Sequence, residues 1–257
     1  MLIIVPSSET KRAAPARGRP VDLEALAFPA LTSMRVRVLD ALIATSARPD
    51  ALRRLLVGDP LAEEVARNTA LRGLAARPAL EVYAGTLHEG LDAATLSPPA
   101  RRRAARDVVV ASALWGALRS GDRIPPYRLH VCARLIGVDR LEPAWRTVLP
   151  EVLADAAEGR GPILDLRSTS HQALGMPAGM AHRTVTLALA HDAAGRRVGN
   201  VIVKRVRGQA ARTLLEAGGS VQDPEAMAEI LRERWPVRLE PPPRPGKPWT
   251  LTVTATA

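Results

Sequence analysis

Three consecutive β-branched residues, Val108, Val109 and Val110, extended by Ala111, form the run that most limits how this chain can fold. The run is too short for a stable helix, and such side chains favour a pleated strand buried on both faces. Beyond it, Leu114, Trp115 and Leu118 recur at helical spacing, which predicts a short helix from Ser112 to Arg119, ended by the turn residues Ser120, Gly121 and Asp122. Pro125 and Pro126 are expected to forbid regular structure across Arg123 and Ile124 and to hold the backbone extended. Tyr127 to Val131 then alternates like a second strand. Arg119, Asp122, Arg123, Tyr127 and Arg128 therefore crowd a proline-stiffened loop at the ends of two expected strands, a common mounting for functional side chains.

A second clean strand signal, Leu2 to Val5, runs directly into the polar residues Ser7, Ser8, Glu9, Thr10 and Lys11. Residues 12–20, rich in Pro, Ala, Gly and Arg without periodicity, read as a flexible basic loop. Up to about residue 106 the chain reads as mostly helical. Leu31 to Ala44 places Met34, Val38, Leu39 and Leu42 on one face, with Thr32 or Ser33 as cap. Asp50 and Asp59-Pro60 open further helical segments, and Pro78 to Leu91 suits a helix, a sharp bend and a second helix. Ser97-Pro98-Pro99 opens the segment carrying Arg101, Arg102 and Arg103, which reads as a solvated helix face.

In the second half, Asp139 and Glu142 stand at capping-box spacing ahead of one amphipathic helix containing Trp145, Val148, Leu149, Val152 and Leu153. Ile163 to Asp165 is another strand, so Arg167 and Ser168 follow its C-terminal end, where open α/β sheets place ligands. Val185, Leu187 and Leu189 alternate, Gly195 is the expected turn, and Arg197 to Val203 would return as the second strand of a hairpin. Lys204, Arg205, Arg207 and Arg212 then fall where a strand meets a helix, an anion cradle if the helix begins there with its first amides unpaired. Asp223 caps a last helix, residues 241–248 form a proline-rich link, and Trp249 to Thr256 alternates as a closing strand. The 257 residues are thus expected to form a single compact α/β domain, a mixed central sheet with surrounding helices.

The formal net charge of +10 points to a polyanionic partner, nucleic acid or a small phosphorylated ligand. An arginine-rich composition accounts for the same charge blandly, since lysine occurs only at positions 11, 204 and 247. The single cysteine, Cys132, excludes an internal disulfide framework and fits a reducing, cytoplasmic setting. No stretch approaches the roughly 20 apolar residues that cross a membrane. The glycines lack nucleotide-loop spacing, His130 and Cys132 have no companions to complete a metal site, and Asp165, Ser168 and His171 lack the nucleophile elbow of a hydrolase triad. No cofactor and no metal are therefore expected.

Three cationic segments remain, each leaving an expected strand: Ser7 to Lys11, Arg119 to Arg128, and Lys204 to Arg212. If their strands share a sheet, the loops converge on one positive cleft; the bland alternative is that Asp122 and Arg128 merely brace their own loop. The first functional reading is a non-enzymatic DNA-binding protein, with Ser7, Lys11, Arg119, Arg123, Arg128, Arg167, Lys204, Arg205, Arg207 and Arg212 as DNA- or anion-binding residues and Tyr127 stacking or bracing among them. The alternative is an enzyme acting on a phosphorylated or nucleotide-like small molecule in the same cleft, with Asp122 or Glu9 as acid/base and Ser7, Ser112 and Ser168 positioning the substrate.

The same segments carry a family resemblance. Pro6 to Lys11, Val82-Tyr83-Ala84-Gly85 with Gly90-Leu91, Ser112 to Gly116 through Asp122 to Leu129, Asp165 to Ser168, and Lys204 to Gly208 resemble, in order and spacing, the successive blocks of the YaaA peroxide-stress protein family. The block from Ser112 to Leu129 is the most specific, while His171 and residues 12–20 depart from the pattern. The resemblance implies a compact, cantaloupe-like α/β fold with a helix-hairpin-helix-like element and a positively charged cleft. It also implies protection against hydrogen peroxide, limitation of free intracellular iron, and DNA binding.

Overall fold

The two purest apolar runs in the sequence are neighbours in space. Leu2–Pro6 (β1) and Val108–Ser112 (β2) pair in parallel with Ile4 opposite Val109, and Leu2 to Val5 and Val108 to Ser112 are all buried. A strand covered on both faces needs no alternation of polar residues, which is why both runs are continuously apolar. The computed structural model describes residues 1–190 and 198–254. Within them five more strands complete the central sheet: β3 (Gly116–Arg119), β4 (Ile163–Asp165), β5 (Thr184–Leu189), β6 (Val237–Glu240) and β7 (Trp249–Val253). Their order is β6-β7-β5-β4-β1-β2-β3; the middle is parallel and the two outer pairs, β6 with β7 and β2 with β3, are antiparallel. The chain is thus a single α/β domain with a mixed central sheet, as expected.

The predicted helix from Ser112 to Arg119 is instead a hairpin. Ser112 Oγ accepts the backbone N–H groups of Leu114 at 3.2 Å and Trp115 at 3.1 Å, Gly116 takes a left-handed φ of 71°, and β3 returns antiparallel to β2. Apolar spacing over so few residues suits either element; a serine-capped turn and a glycine decide between them. Gly116 is also required by packing, because a Cβ there would stand 2.5 Å from the Trp145 ring. Arg35, fully buried, holds the hairpin from inside by donating to the carbonyls of Trp115 and Ala117 at 3.0 and 2.7 Å.

The prolines at 125 and 126 do not exclude pairing just before them, since Arg123–Ile124 forms a two-residue antiparallel ladder with Arg77–Pro78. Tyr127 to Val131 is not a strand. Its place in a ladder is taken by a side chain: the Arg128 N–H donates to Asn68 Oδ1 and Asn68 Nδ2 donates to the Arg128 carbonyl, both at 2.8 Å.

Helix α1 (Thr32–Ser46) is entered through a 3-10 turn over Pro29–Leu31, so neither Thr32 nor Ser33 is its cap. Short helices follow at Ala51–Leu55, Ala62–Arg67 and Ala79–Val82, then α2 (Thr86–Leu91) and α3 (Pro98–Asp107), which Ser97 caps by accepting from the Ala100 N–H. The single amphipathic helix predicted around Trp145 is two, α4 (Leu141–Arg146) and α5 (Leu149–Ala157), without the expected capping box. Pro150 enforces the break, since its ring would meet the carbonyl of Arg146 in a continuous helix and it has no N–H to offer.

The predicted hairpin over residues 183–203 is also replaced. The β5 strand pairs in parallel with β4 and β7, and residues 200–203 open α6 (Asn200–Ala217); the expected turn at Gly195 lies outside the described residues. Val206, Ala210, Ala211, Leu214 and Leu215 form its buried face. The cations at 204, 205 and 207 therefore lie beyond the first four residues of the helix, where backbone N–H groups are already bonded, and the expected amide cradle is absent there. Close to the sheet, α6 crosses α2 where a Cβ on Gly208 would lie 1.9 Å from the Leu87 carbonyl oxygen and one on Gly90 would lie 2.3 Å from that of Arg205. Asp223 caps α7 (Pro224–Arg232) by accepting the Ala226 N–H at 2.8 Å. Among the described residues no helix is long and apolar enough to cross a membrane.

Candidate functional site

The parallel register of β1, β2 and β4 brings Pro6, Ser112 and Asp165 to one edge of the sheet. The first loop leaves from this edge and is sewn down at once. The Ser7 N–H donates to the Ala111 carbonyl at 2.7 Å, and Lys11 forms a bridge with Tyr83, flanked by bonds from Arg12 N–H to Val82 O at 2.8 Å and from Ala84 N–H to Thr10 O at 3.1 Å. Gly85 makes the approach possible, because a Cβ there would fall 2.1 Å from Ser8 Oγ.

This stitching drives the Lys11 side chain inward. Its Nζ donates to the carbonyls of Ser8 at 2.6 Å and Glu9 at 3.3 Å and stands 4.2 Å from the centre of the Tyr127 ring. Burial pushes the amine down to about 7, with Glu9 opposing the shift and Arg128 adding to it. Below the amine, Tyr127 meets Tyr83 and Trp115 edge to face. Ser112 Oγ, already accepting two backbone N–H groups, gives its own proton to Tyr127 Oη at 2.7 Å, and Tyr83 Oη lies 3.1 Å from the same oxygen. Burial raises the Tyr127 phenol although Ser112, Tyr83 and Ser7 hydrogen bond to it.

Arg128 reaches the first loop, donating from Nη1 to the Glu9 carbonyl at 3.2 Å and lying 3.6 Å from Glu64 Oε2. Burial pushes the Glu9 carboxyl up, but its own backbone N–H and the charges of His171, Lys204 and Lys11 outweigh that and hold it below the usual carboxylate range. His171, whose Nδ1 lies 3.1 Å from Ser168 Oγ, is pushed down to about 4 by burial. Ser7, Glu9, Lys11, Tyr127 and Arg128 are thus gathered from two of the three segments singled out in the sequence, while Lys204, exposed on α6, bears on Glu9 and His171 through its charge.

The other cations are tied to different partners. Arg119 donates to the Arg106 carbonyl at 2.9 Å and packs over Phe28, while Asp122 accepts the N–H groups of Ala27 and Arg119 at 3.1 and 3.0 Å and so braces the loop. Arg123 donates to Ala76 O, Arg207 to Leu187 O, and Arg212 to Asp92 O and Thr95 Oγ1. Arg167 is fully buried in a two-pronged pair with Asp165 at 2.9 and 2.8 Å, and Arg205 stands exposed 4.0 Å from Glu89. Tyr83, His88 and Asn68 were not singled out individually as site residues by residue type. The bridge at Tyr83 depends on a long-range contact, and a lone buried Asn or His in a helical region carries no signal of its own.

These features define a class: an α/β protein whose first strand leads to a half-buried lysine set over paired tyrosines at the carboxyl end of a mixed sheet, with Arg128 on the same Glu9 carbonyl. The chain belongs to the YaaA family, as the resemblance implied: the model described as Peroxide stress protein YaaA matches residues 1–238. It is 41% identical to a UPF0246 protein of Streptomyces coelicolor over 98% of each chain. UPF0246 proteins of Corynebacterium efficiens and Corynebacterium glutamicum are 36% and 34% identical, covering 90% and 83% of this chain and 92% and 84% of their own.

Proposed function

We propose that this chain acts in the peroxide-stress response as a cytoplasmic protein that binds duplex DNA by its phosphates, at the mouth formed by Lys11, Arg128 and Lys204. The observation carrying this reading is that Lys11 and Arg128, from two distant segments, both donate to the Glu9 carbonyl, while Lys204, exposed with Arg205 on α6, helps by its charge to hold the Glu9 carboxyl down. The net charge of +10 favours the same class of partner. Cations seated on phosphates also compete with loosely held iron for those oxygens, so the same contact would limit iron-driven radical damage to the strand.

Phosphate contacts release counterions, so log affinity falls linearly with log salt, by about 0.9 per phosphate. Electrophoretic retardation of duplex DNA across a salt series should show such a slope, and Lys204→Ala and Arg205→Ala should each make it shallower by about 0.9. An affinity indifferent to salt, or no retardation at low salt, would sink the proposal.

A further inference from the structure

Lys11 and the Tyr127 ring it lies over both line a cavity of about 150 Å³, whose wall also includes Ala13, Glu64 and Leu74. The lysine is half-buried and sits on a fixed stretch of backbone, held by its bridge to Tyr83 and by the close approach of Ser8 to Gly85. Its Nζ donates to the carbonyls of Ser8 and Glu9. Those two acceptors satisfy both N–H groups of a neutral amine, so in that form only the nitrogen lone pair is left without a hydrogen-bond partner.

Positive charge alone does not require a lysine to be taken out of water, since Lys204 supplies it from an exposed position on α6. Burial holds the Lys11 amine at about 7, with Glu9 opposing the shift and Arg128 adding to it, so about half of it is neutral at pH 7. Arg128 stands on the same Glu9 carbonyl at 3.2 Å. A lysine desolvated beside a second cation is the arrangement that turns an amine into a nucleophile toward carbonyl carbon. A narrow cavity suits an aldehyde, which presents one chain and a hydrogen, better than a ketone with two arms.

We propose that Lys11 is the attacking amine of an imine-forming site that captures aldehydes entering this cavity. The nitrogen lone pair forms a bond to the aldehyde carbon, and one nitrogen proton passes to the carbonyl oxygen to make a hydroxyl. That hydroxyl then leaves with the second nitrogen proton as water, and a C=N bond remains; no oxidant or reductant takes part. Glu64, a carboxyl on the cavity wall whose charge acts on the amine, relays the protons between nitrogen and oxygen. The assignment does not depend on the DNA reading, and it moves the chemistry from Asp122, which the fold uses as a brace, to the amine of the first loop.

Reductive trapping of the full chain with cyanoborohydride at pH 7 tests it, with glycolaldehyde as one probe and a duplex carrying a single abasic site, whose sugar opens to an aldehyde, as the other. Peptide mapping reads each amine separately, Met1 included, and the exposed Lys204 and Lys247 serve as internal comparisons. With at least one probe, Lys11 should be trapped about tenfold or more faster than either exposed lysine, because far less of an ordinary lysine is neutral at that pH. The preference should vanish in urea, and the rate at Lys11 should level off above about 7. Ala13→Trp, at an exposed position on the cavity wall, and Glu64→Gln should each slow trapping at Lys11 without slowing it at Lys204 or Lys247. Faster trapping of the abasic duplex would place the aldehyde in a DNA strand, and faster trapping of glycolaldehyde would place it in a free small molecule. Trapping at Lys11 no faster than at the exposed lysines with both probes, a preference that persists in urea, or an unchanged rate in folded Ala13→Trp would each overturn the assignment. Failure to retard intact duplex DNA would overturn only the DNA reading.

Discussion

At neutral pH the amine of Lys11 sits at the midpoint of its titration, because burial brings it to about 7 from the ordinary lysine value of 10.5. Between those two values the unfolded chain holds a proton that the folded chain has released, so this residue makes stability rise with pH through that window and adds no slope below about 7 or above 10.5. Urea unfolding at a pH near 7 and again near 9 should show the rise in the unaltered protein and a smaller one in Lys11→Met; an identical rise in both would rule out the shifted amine. The two buried histidines act at lower pH with the same sign. Held at about 4, His88 and His171 cost stability as pH falls from 6.5 toward 4, so replacing either with Phe should lessen acid sensitivity in the same measurement. Charge and loop position mark Lys11, Arg128 and Lys204 in the sequence, and mark Arg119, Arg123, Arg167, Arg207 and Arg212 equally. Which carbonyl or carboxylate each cation holds, the Glu9 carbonyl for Lys11 and Arg128 and Asp165 for Arg167, depends on packing that residue type does not carry.

The crossing of α2 and α6 places the exposed cations of α6 relative to the first loop. With the Cβ position of Gly208 only 1.9 Å from the Leu87 carbonyl and 2.7 Å from the Leu91 nitrogen, Gly208→Ala must push backbone apart. The expected loss is about 1–3 kcal/mol, read as a lower urea midpoint, with weaker DNA retardation as Lys204 and Arg205 move. Gly121→Ala, with open space at its Cβ, should leave the midpoint near that of the unaltered protein. Elements were legible where one physical signal dominated: β1 and β2 from apolar β-branched runs, α3 from Ser97-Pro98, and α7 from Asp223-Pro224. They were misread where a single residue outweighed a pattern. Gly116 turned a helical spacing into a hairpin, Pro150 cut one amphipathic stretch into two, and the run Val201 to Val203 entered a helix because the buried face beyond it has helical spacing.

Across the whole molecule, fold class followed from alternating strand and helix signals, whereas strand order did not, because it depends on contacts between distant segments. The family match ends at residue 238, within β6, yet β7 lies inside the sheet between β5 and β6. A chain stopped after Glu240 would leave β6 without its partner and bare one side of β5. Such a chain should lose its cooperative unfolding transition and aggregate through the exposed edge, as circular dichroism and size-exclusion chromatography would report. The strand order also has a temporal consequence. β1 is flanked by β2 and β4, so during synthesis it leaves the ribosome before either neighbour has been made. Until Tyr83, Tyr127 and Arg128 have emerged and closed over the first loop, the nascent chain carries an ordinary lysine at position 11. The unusual proton affinity of that amine is therefore acquired late, and its appearance would time the maturation of each newly made molecule.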